Sequence, residues 1–141
     1  MNNITYNNSI TAVEYNNLRN QAGWKPYSLQ QMQKAIESSS YIVAAVINGE
    51  TVAAARLISD NACYGIIADV VVSSKCRGLG VGRSLVLNII DHIETSLENG
   101  EEYRLNVMAY KGKDGFYEKL GFVSRPNEEL GAGLTVKITG K

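Results

Sequence analysis

The chain has 141 residues, and its 14 lysines and arginines balance 14 aspartates and glutamates, so the formal net charge is zero. This length predicts a single domain, residues 1–141, and the neutral balance argues against nucleic-acid binding, which needs a clustered basic excess. With two cysteines, no signal-peptide pattern and no apolar run long enough for a membrane span, we expect a cytoplasmic protein without a membrane partner.

Strand and helix patterns alternate along the chain. Thr11 with Glu14 and Ser28 with Gln31 have the spacing of capping boxes that open two helices. An Asn-Gly pair indicates a tight hairpin after them. In chain order we predict strand 4–8, helices 11–20 and 28–38, strands 41–47, 51–58 and 64–73, helix 79–99, strand 103–109, helix 114–120, and strands 122–123 and 134–139.

A glycine-rich turn lies between an apolar strand and the longest predicted helix. Its three glycines, Gly78, Gly80 and Gly82, occupy every second position. Without Cβ atoms, such a turn lets a ligand approach the main chain closely. Bare N–H groups at a helix N-terminus favour an anion, so the turn predicts a site for a phosphate-bearing ligand. The alternative is an ordinary strand-to-helix turn.

Two common phosphate-binding motifs do not fit this spacing. A P-loop needs Lys and Ser or Thr after its second glycine, and the chain lacks that pattern. A dinucleotide fingerprint needs Gly or Ala where the chain has Arg83, and its acidic residue should follow a second strand. The candidates for that residue, Glu98 and Glu101, instead end the same helical segment. What remains is the pattern Arg77-x-x-Gly80-x-Gly82.

This pattern resembles the acyl-coenzyme A pyrophosphate loop of the GNAT acetyltransferase superfamily. A second stretch, residues 113–122 with the sequence KDGFYEKLGF, is similar to another signature of that superfamily. The resemblance covers nearly the whole chain. It implies an α/β (α+β) GNAT fold, in which about four helices flank a central, mixed, mostly antiparallel sheet of six to seven strands.

The resemblance also implies acetyl-CoA as co-substrate. One histidine and two distant cysteines give no metal-site spacing, so we expect no metal. The main chain of the three valines after Asp69 would pair with the pantetheine arm like an added strand. Tyr110 stands where many members of the superfamily have an asparagine that contacts the cofactor. The expected cofactor-binding residues are Val70, Val71, Val72, Arg77, Gly78, Leu79, Gly80, Val81, Gly82, Arg83, Ser84, Tyr110 and Phe116.

Tyr117 is the expected general acid, because the superfamily places a tyrosine here beside the thioester sulfur. A phenol has an ordinary pKa of about 10, comparable to or above that of a thiol, about 8.5. It therefore stays protonated until thiolate develops and can then donate its proton. The alternative is a core aromatic residue whose hydroxyl caps a carbonyl group.

Asp69 interrupts an otherwise apolar strand, where burying a lone carboxylate is costly. Glucosamine-phosphate and plastid-type arylalkylamine (serotonin) N-acetyltransferases carry a similar Asp before three valines, although the sugar enzymes have Glu where this chain has Ala68. The resemblance implies that Asp69 binds the incoming amine or helps to deprotonate it. Alternatively, Asp69 caps a turn or pairs with Arg56 on the neighbouring strand.

Trp24 lies in a loop after the first predicted helix, where the resemblance implies a lid over the acceptor, although a packing role is the alternative. The resulting prediction is an acetyl-CoA-dependent N-acetyltransferase in which the primary amine of a small molecule attacks the thioester directly. A protein or peptide N-acetyltransferase and a non-catalytic acyl-CoA-binding module are the alternatives. Dimers are common in the superfamily, so a homodimer is a further expectation.

Overall fold

The computed structural model describes residues 3–141, which divide into two units. The first unit ends at Val107 and contains all five strands of the described chain, whereas the second, Met108–Lys141, contains one short helix. In chain order the elements are β1 (Ile4–Asn7), α1 (Ala12–Gln21), α2 (Leu29–Ser38), β2 (Tyr41–Ile47), β3 (Glu50–Ser59), β4 (Tyr64–Val72), a 3-10 turn (Ser74–Cys76), α3 (Val81–Ser96), β5 (Arg104–Val107) and α4 (Asp114–Glu118).

The sheet of the first unit has the strand order β1-β2-β3-β4-β5. All neighbours are antiparallel except β4 and β5, which are parallel. A parallel pair needs a crossover connection, and α3 supplies it. Asn48 and Gly49 join β2 to β3 with φ values of +50° and +78°, as an Asn-Gly hairpin turn requires. The predicted mixed, mostly antiparallel sheet is therefore confirmed.

Both helices before β2 begin at the predicted caps. At α1, Glu14 N–H donates to Thr11 Oγ1 over 3.1 Å and Thr11 N–H donates to Glu14 Oε1 over 2.9 Å, which completes a capping box. At α2, Gln31 N–H donates to Ser28 Oγ over 3.1 Å. These caps end the preceding loops at defined residues and so set where each helix begins.

Helices cover both faces of the sheet. α1 packs against β3 and β4, whereas α3 packs against β2, β3 and β4. Alternate residues of each strand point to opposite faces, so each strand contributes to both layers. One continuous apolar cluster joins α1 and α2 to the sheet, and its buried members are Ile10, Ala12, Tyr15, Leu18, Met32, Ile42, Ala44, Ala54 and Val71.

A β-bulge halfway along β4 changes the sheet face to which its side chains point. Ile67 pairs with Leu57, whereas Val71 pairs with Ala54, three residues back along β3. Four residues of β4 therefore match three of β3, and Asp69 within this step has a φ of +53°. Because three residues is an odd interval, Ile67 and Val71 point to opposite faces. The bulge thus places Val71 in the cluster with α1 and α2.

The bulge also coincides with the point where β4 and β5 separate. Their pairing runs from Tyr64 with Arg104 to Ile67 with Val107 and stops there. Within the described part of the first unit, no strand pairs with residues 68–72 on the side away from β3. This stretch of β4 therefore presents an open main-chain edge.

The strands predicted at 122–123 and 134–139 are wrong, because the described chain has no regular element after Glu118. Leu134, Val136 and Ile138 alternate as in a strand, but they are 90%, 79% and 87% exposed. A strand is stable only when its backbone groups pair with a neighbour, and alternation alone does not supply one. The sheet therefore has five strands rather than six to seven. None of the described helices is long and apolar enough to cross a membrane.

Candidate active site

The predicted strand and helix are present as β4 and α3, and the predicted glycine turn lies between them. Gly78 and Gly80 have φ values of +83° and +76°, a conformation that side chains with a Cβ atom rarely adopt. A Cβ atom at either position would meet no atom within 4 Å, so the turn borders open space. Gly80 caps α3 without a side-chain hydrogen bond, and Ser84 N–H donates to its carbonyl oxygen over 3.0 Å. The turn therefore offers main-chain N–H groups to a ligand.

The side chains around this turn are mostly basic and accessible. Arg77 and Arg83 are exposed, and Lys75 lies 3.6 Å from Glu50 in an exposed ion pair. Leu79 is 62% exposed, whereas Val81 is buried. Val81 can therefore contribute only its main chain to a ligand, while the arginines add positive charge beside the helix N-terminus.

The three predicted valines lie on the open edge of β4. Val71 has its side chain in the cluster with α1 and α2, and Val70 and Val72 are half-buried. Their main chain leads through the short 3-10 turn into the glycine turn. An open strand edge followed by a helix N-terminus suits a ligand that combines an extended amide chain with an anionic group.

Asp69 is part of a buried ionic cluster. One carboxylate oxygen accepts a hydrogen bond from Arg19 Nη1, and the other accepts one from Arg56 Nε over 2.9 Å. The side chains of Arg19, Arg56 and Asp69 are 9%, 13% and 14% exposed. The fully buried Tyr15 donates its hydroxyl to the Asp69 carbonyl oxygen over 2.8 Å. Burial raises the pKa of Tyr15, which keeps this donor protonated.

Sequence reasoning identified two members of this cluster and missed two. Pairing of Asp69 with Arg56 was one of the alternatives, and the structure shows it. Tyr15 and Arg19 were not singled out, although their four-residue spacing places them on one face of α1. A buried arginine has no signature in a single sequence, because long-range pairing decides its burial.

The loop that carries Trp24 packs against the same arginine. The Arg19 guanidinium carbon lies 5.3 Å from the centre of the Trp24 ring and 4.4 Å from that of Tyr27. Asn16 also binds this loop. Its side chain donates to the Tyr27 carbonyl oxygen over 2.8 Å and accepts from the Tyr27 N–H over 3.3 Å. The structure thus joins Trp24 and Asp69, both predicted to meet the acceptor, through Arg19.

The remaining predicted residues lie in the second unit. Tyr117 is 8% exposed, and its ring packs edge-on against Phe116 at 4.9 Å and Phe122 at 5.7 Å between ring centres. Burial raises the pKa of Tyr117. Phe116 is half-buried and Tyr110 is 61% exposed. Across residues 3–141, no group of three His, Cys, Asp or Glu side chains could hold a metal ion.

Removal of the Asp69 charge should destabilise the first unit. The substitution Asp69→Asn leaves the Arg19 and Arg56 guanidiniums buried without their counter-charge, and breaking such a pair costs about 3–5 kcal/mol. Chemical denaturation measures the loss as a fall in the free energy of unfolding. The control Glu50→Gln breaks an exposed pair with Lys75 and should cost at most about 1 kcal/mol. Equal losses in the two variants would contradict the cluster's role.

Comparisons with known proteins identify the family of this chain. The family model of the acetyltransferase (GNAT) domain matches residues 7–136. The uncharacterized N-acetyltransferase ycf52 of Pyropia yezoensis is 29% identical over 128 residues, which cover 88% of this chain and 71% of that protein. Serotonin N-acetyltransferase 2, chloroplastic, of Oryza sativa subsp. japonica is 28% identical over 102 residues, 70% of this chain and 49% of that protein.

A solved structure shares the fold. A Staphylococcus aureus protein of unknown function, named as a candidate acetyltransferase, superposes with a TM-score of 0.83 at 23% identity, covering 98% of this chain and all of that one. Since the family model spans all but the first six and last five residues, the match concerns the whole fold rather than one motif. The chain belongs to the GNAT acetyltransferase family and is an acetyltransferase.

Proposed function

We propose that this enzyme binds acetyl-CoA along β4 and the glycine turn, and transfers the acetyl group to a primary amine of a small molecule. The family uses acetyl-CoA in general, and one observation carries the assignment to this site. The open edge at residues 68–72 leads through a short 3-10 turn into the glycine turn at the N-terminus of α3. An amide chain followed by a pyrophosphate matches that sequence of features.

In this proposal each part of the cofactor meets a different part of the chain. The main chain of Val70, Val71 and Val72 pairs with the pantetheine arm as an added strand would. The N–H groups of the turn and of the first helical residues bind the pyrophosphate, while Arg77 and Arg83 add positive charge. The positive φ values of Gly78 and Gly80 support this assignment, because they bend the main chain around open space.

Asp69 remains a predicted acceptor residue, and its ion pairs favour a positioning role over that of a base. Both of its oxygens already accept hydrogen bonds, from Arg19 and Arg56. Two guanidiniums against one carboxylate leave a net positive charge, which disfavours an ammonium ion beside them. The amine therefore attacks as the neutral species, and Trp24 lines the acceptor side of the loop.

Tyr117 completes the proposed chemistry as general acid. The amine nitrogen forms a bond to the carbonyl carbon, and the carbon–sulfur bond of the thioester breaks. The Tyr117 hydroxyl gives its proton to the departing thiolate, and the amine releases its extra proton to solvent. One observation supports this role: burial raises the Tyr117 pKa, which keeps the phenol protonated until thiolate develops.

Three wider features belong to the same proposal. The match to residues 7–136 supports a single acetyltransferase domain over residues 1–141. Both cysteines are free, which suits a reducing compartment such as the cytoplasm. A homodimer remains part of the proposal.

The acceptor class is tested by thiol release from acetyl-CoA across four kinds of amine: an arylalkylamine such as serotonin, a polyamine, a hexosamine phosphate and a peptide with free amino groups. We expect turnover with at least one of the three small amines and none with the peptide, because the proposed acceptor is small. Turnover with the peptide alone would replace the proposal with a protein N-acetyltransferase. Tight acetyl-CoA binding without turnover on any amine would leave a binding module.

Tyr117→Phe should lower kcat by about 10²–10⁴-fold and leave acetyl-CoA affinity unchanged, because the variant loses only the hydroxyl. An acid must be protonated to act, so wild-type kcat falls as pH rises through the Tyr117 pKa. Because burial raises that pKa, we expect the fall above the ordinary tyrosine pKa of about 10. The control is Tyr6→Phe, at an exposed tyrosine of β1 outside the proposed site. An unchanged kcat in Tyr117→Phe would remove Tyr117 from the acid role.

A further inference from the structure

The ionic cluster around Asp69 contains more positive than negative charge. Arg19 and Arg56 both pair with the single carboxylate of Asp69. Across residues 3–141, neither arginine takes part in another ion pair. One positive charge is therefore left without a counter-charge in a place that is mostly removed from water. Because a charge in such a place is costly unless it is paired, the cluster favours an anion beside it.

The guanidinium of Arg56 has hydrogen-bond donors to spare. Its Nε donates to the Asp69 carboxylate over 2.9 Å, and its Nη1 donates to Ser39 Oγ over 3.4 Å. A guanidinium carries five N–H donors, so both N–H groups of Nη2 remain. Within residues 3–141, the only buried side-chain polar atom without a partner is Arg19 Nε. The Nη2 donors of Arg56 are therefore not sealed inside the protein, and this side chain is 13% exposed.

Arg56 lies where the helices stop covering one face of the sheet. It is paired with Ile42, a member of the cluster with α1 and α2, so both side chains point to that face. The contact with Ser39 places the guanidinium at the C-terminal cap of α2. Further along β3, Ile58 points to the same face and is 43% exposed. The Arg56 side chain therefore borders an open part of this face.

The proposed cofactor position brings the thioester towards Arg56. In that proposal the pyrophosphate lies at the glycine turn, and the pantetheine arm runs back along residues 70–72. The thioester is at the far end of the arm and so lies towards Asp69, whose Oδ2 is 2.9 Å from Arg56 Nε. Neighbouring strands lie about 4.8 Å apart. A small acceptor whose amine reaches the thioester can therefore place a second group at Arg56.

We infer that Arg56 is a specificity-determining residue that binds an anionic group, a carboxylate or a phosphate, on the amine acceptor. The Nη2 donors bind the oxygens of that group, as the planar guanidinium does with both kinds of anion. The anion also supplies the counter-charge that the cluster lacks. This inference rests on the proposed acetyl transfer to a small amine, and it narrows the acceptor to amines that carry an acidic group.

The test compares amines that differ only in an acidic group. Thiol release from acetyl-CoA gives kcat/KM for glucosamine 6-phosphate against glucosamine and for 5-hydroxytryptophan against serotonin. The measured quantity is the ratio of the acidic to the neutral amine within one protein, so a general loss of activity cancels.

Three variants of the full chain are compared with the wild type. Arg56→Gln removes the spare charge and leaves Arg19 paired one to one with Asp69. Arg56→Lys keeps the charge without the planar donors. The control Lys34→Gln removes an exposed positive charge from α2.

We expect a ratio of at least about ten in the wild type for at least one pair, the gain of one hydrogen bond between charged groups. The pair that shows it identifies the anion as phosphate or carboxylate. Lys34→Gln should keep the ratio. Arg56→Gln should lower it to below about three, and Arg56→Lys should give a value between those of Arg56→Gln and the wild type.

A wild-type ratio near one for both pairs overturns the inference and leaves the proposed function standing. The wild-type ratio in Arg56→Gln, or an equal loss in Lys34→Gln, likewise overturns the role of Arg56. An unchanged ratio in Arg56→Lys overturns it even if Arg56→Gln does not fold. Absence of thiol release with all of these amines overturns the proposed function as well.

Discussion

The ion pairs of Asp69 with Arg19 and Arg56 are the constraint on which the rest of the site depends. A lone carboxylate inside an apolar strand would be costly to bury, and two guanidiniums offset that cost by pairing with both of its oxygens. Together with the Tyr15 hydroxyl on the carbonyl group, they hold a left-handed residue inside a strand. The bulge is therefore a stable feature of the fold.

The bulge explains how one strand serves two purposes. Before the bulge, β4 pairs with both β3 and β5. After the bulge, β4 pairs with β3 alone, and its other edge is open within the described part of the first unit. The step also redirects Val71 into the cluster with α1 and α2, so the open segment stays anchored by its side chain. Gly78 and Gly80 follow after a short 3-10 turn and lead into the N-terminus of α3, so we propose that the strand edge and the glycine turn bind the cofactor together.

Sequence alone predicted the features that depend on neighbours along the chain. The Thr11 cap and the glycine turn into α3 are local, and both are confirmed. The bulge was not predicted, because the sequence pattern of an apolar strand does not show whether one of its residues has a left-handed backbone. Arg19 was missed because its partner lies fifty residues away. The strand predicted at 134–139 was wrong, because its alternation specifies a face but no partner.

The central claim is that the glycine turn binds the cofactor, and acetyl-CoA affinity measured by calorimetry in two alanine variants tests it most directly. Gly80 and Gly100 have φ values of +76° and +86°, and a Cβ atom at either would meet no atom within 4 Å. Gly80→Ala and Gly100→Ala therefore share the same backbone strain. We predict that Gly80→Ala weakens binding by at least about tenfold and that Gly100→Ala does not. Equal affinities in the two variants would contradict the account.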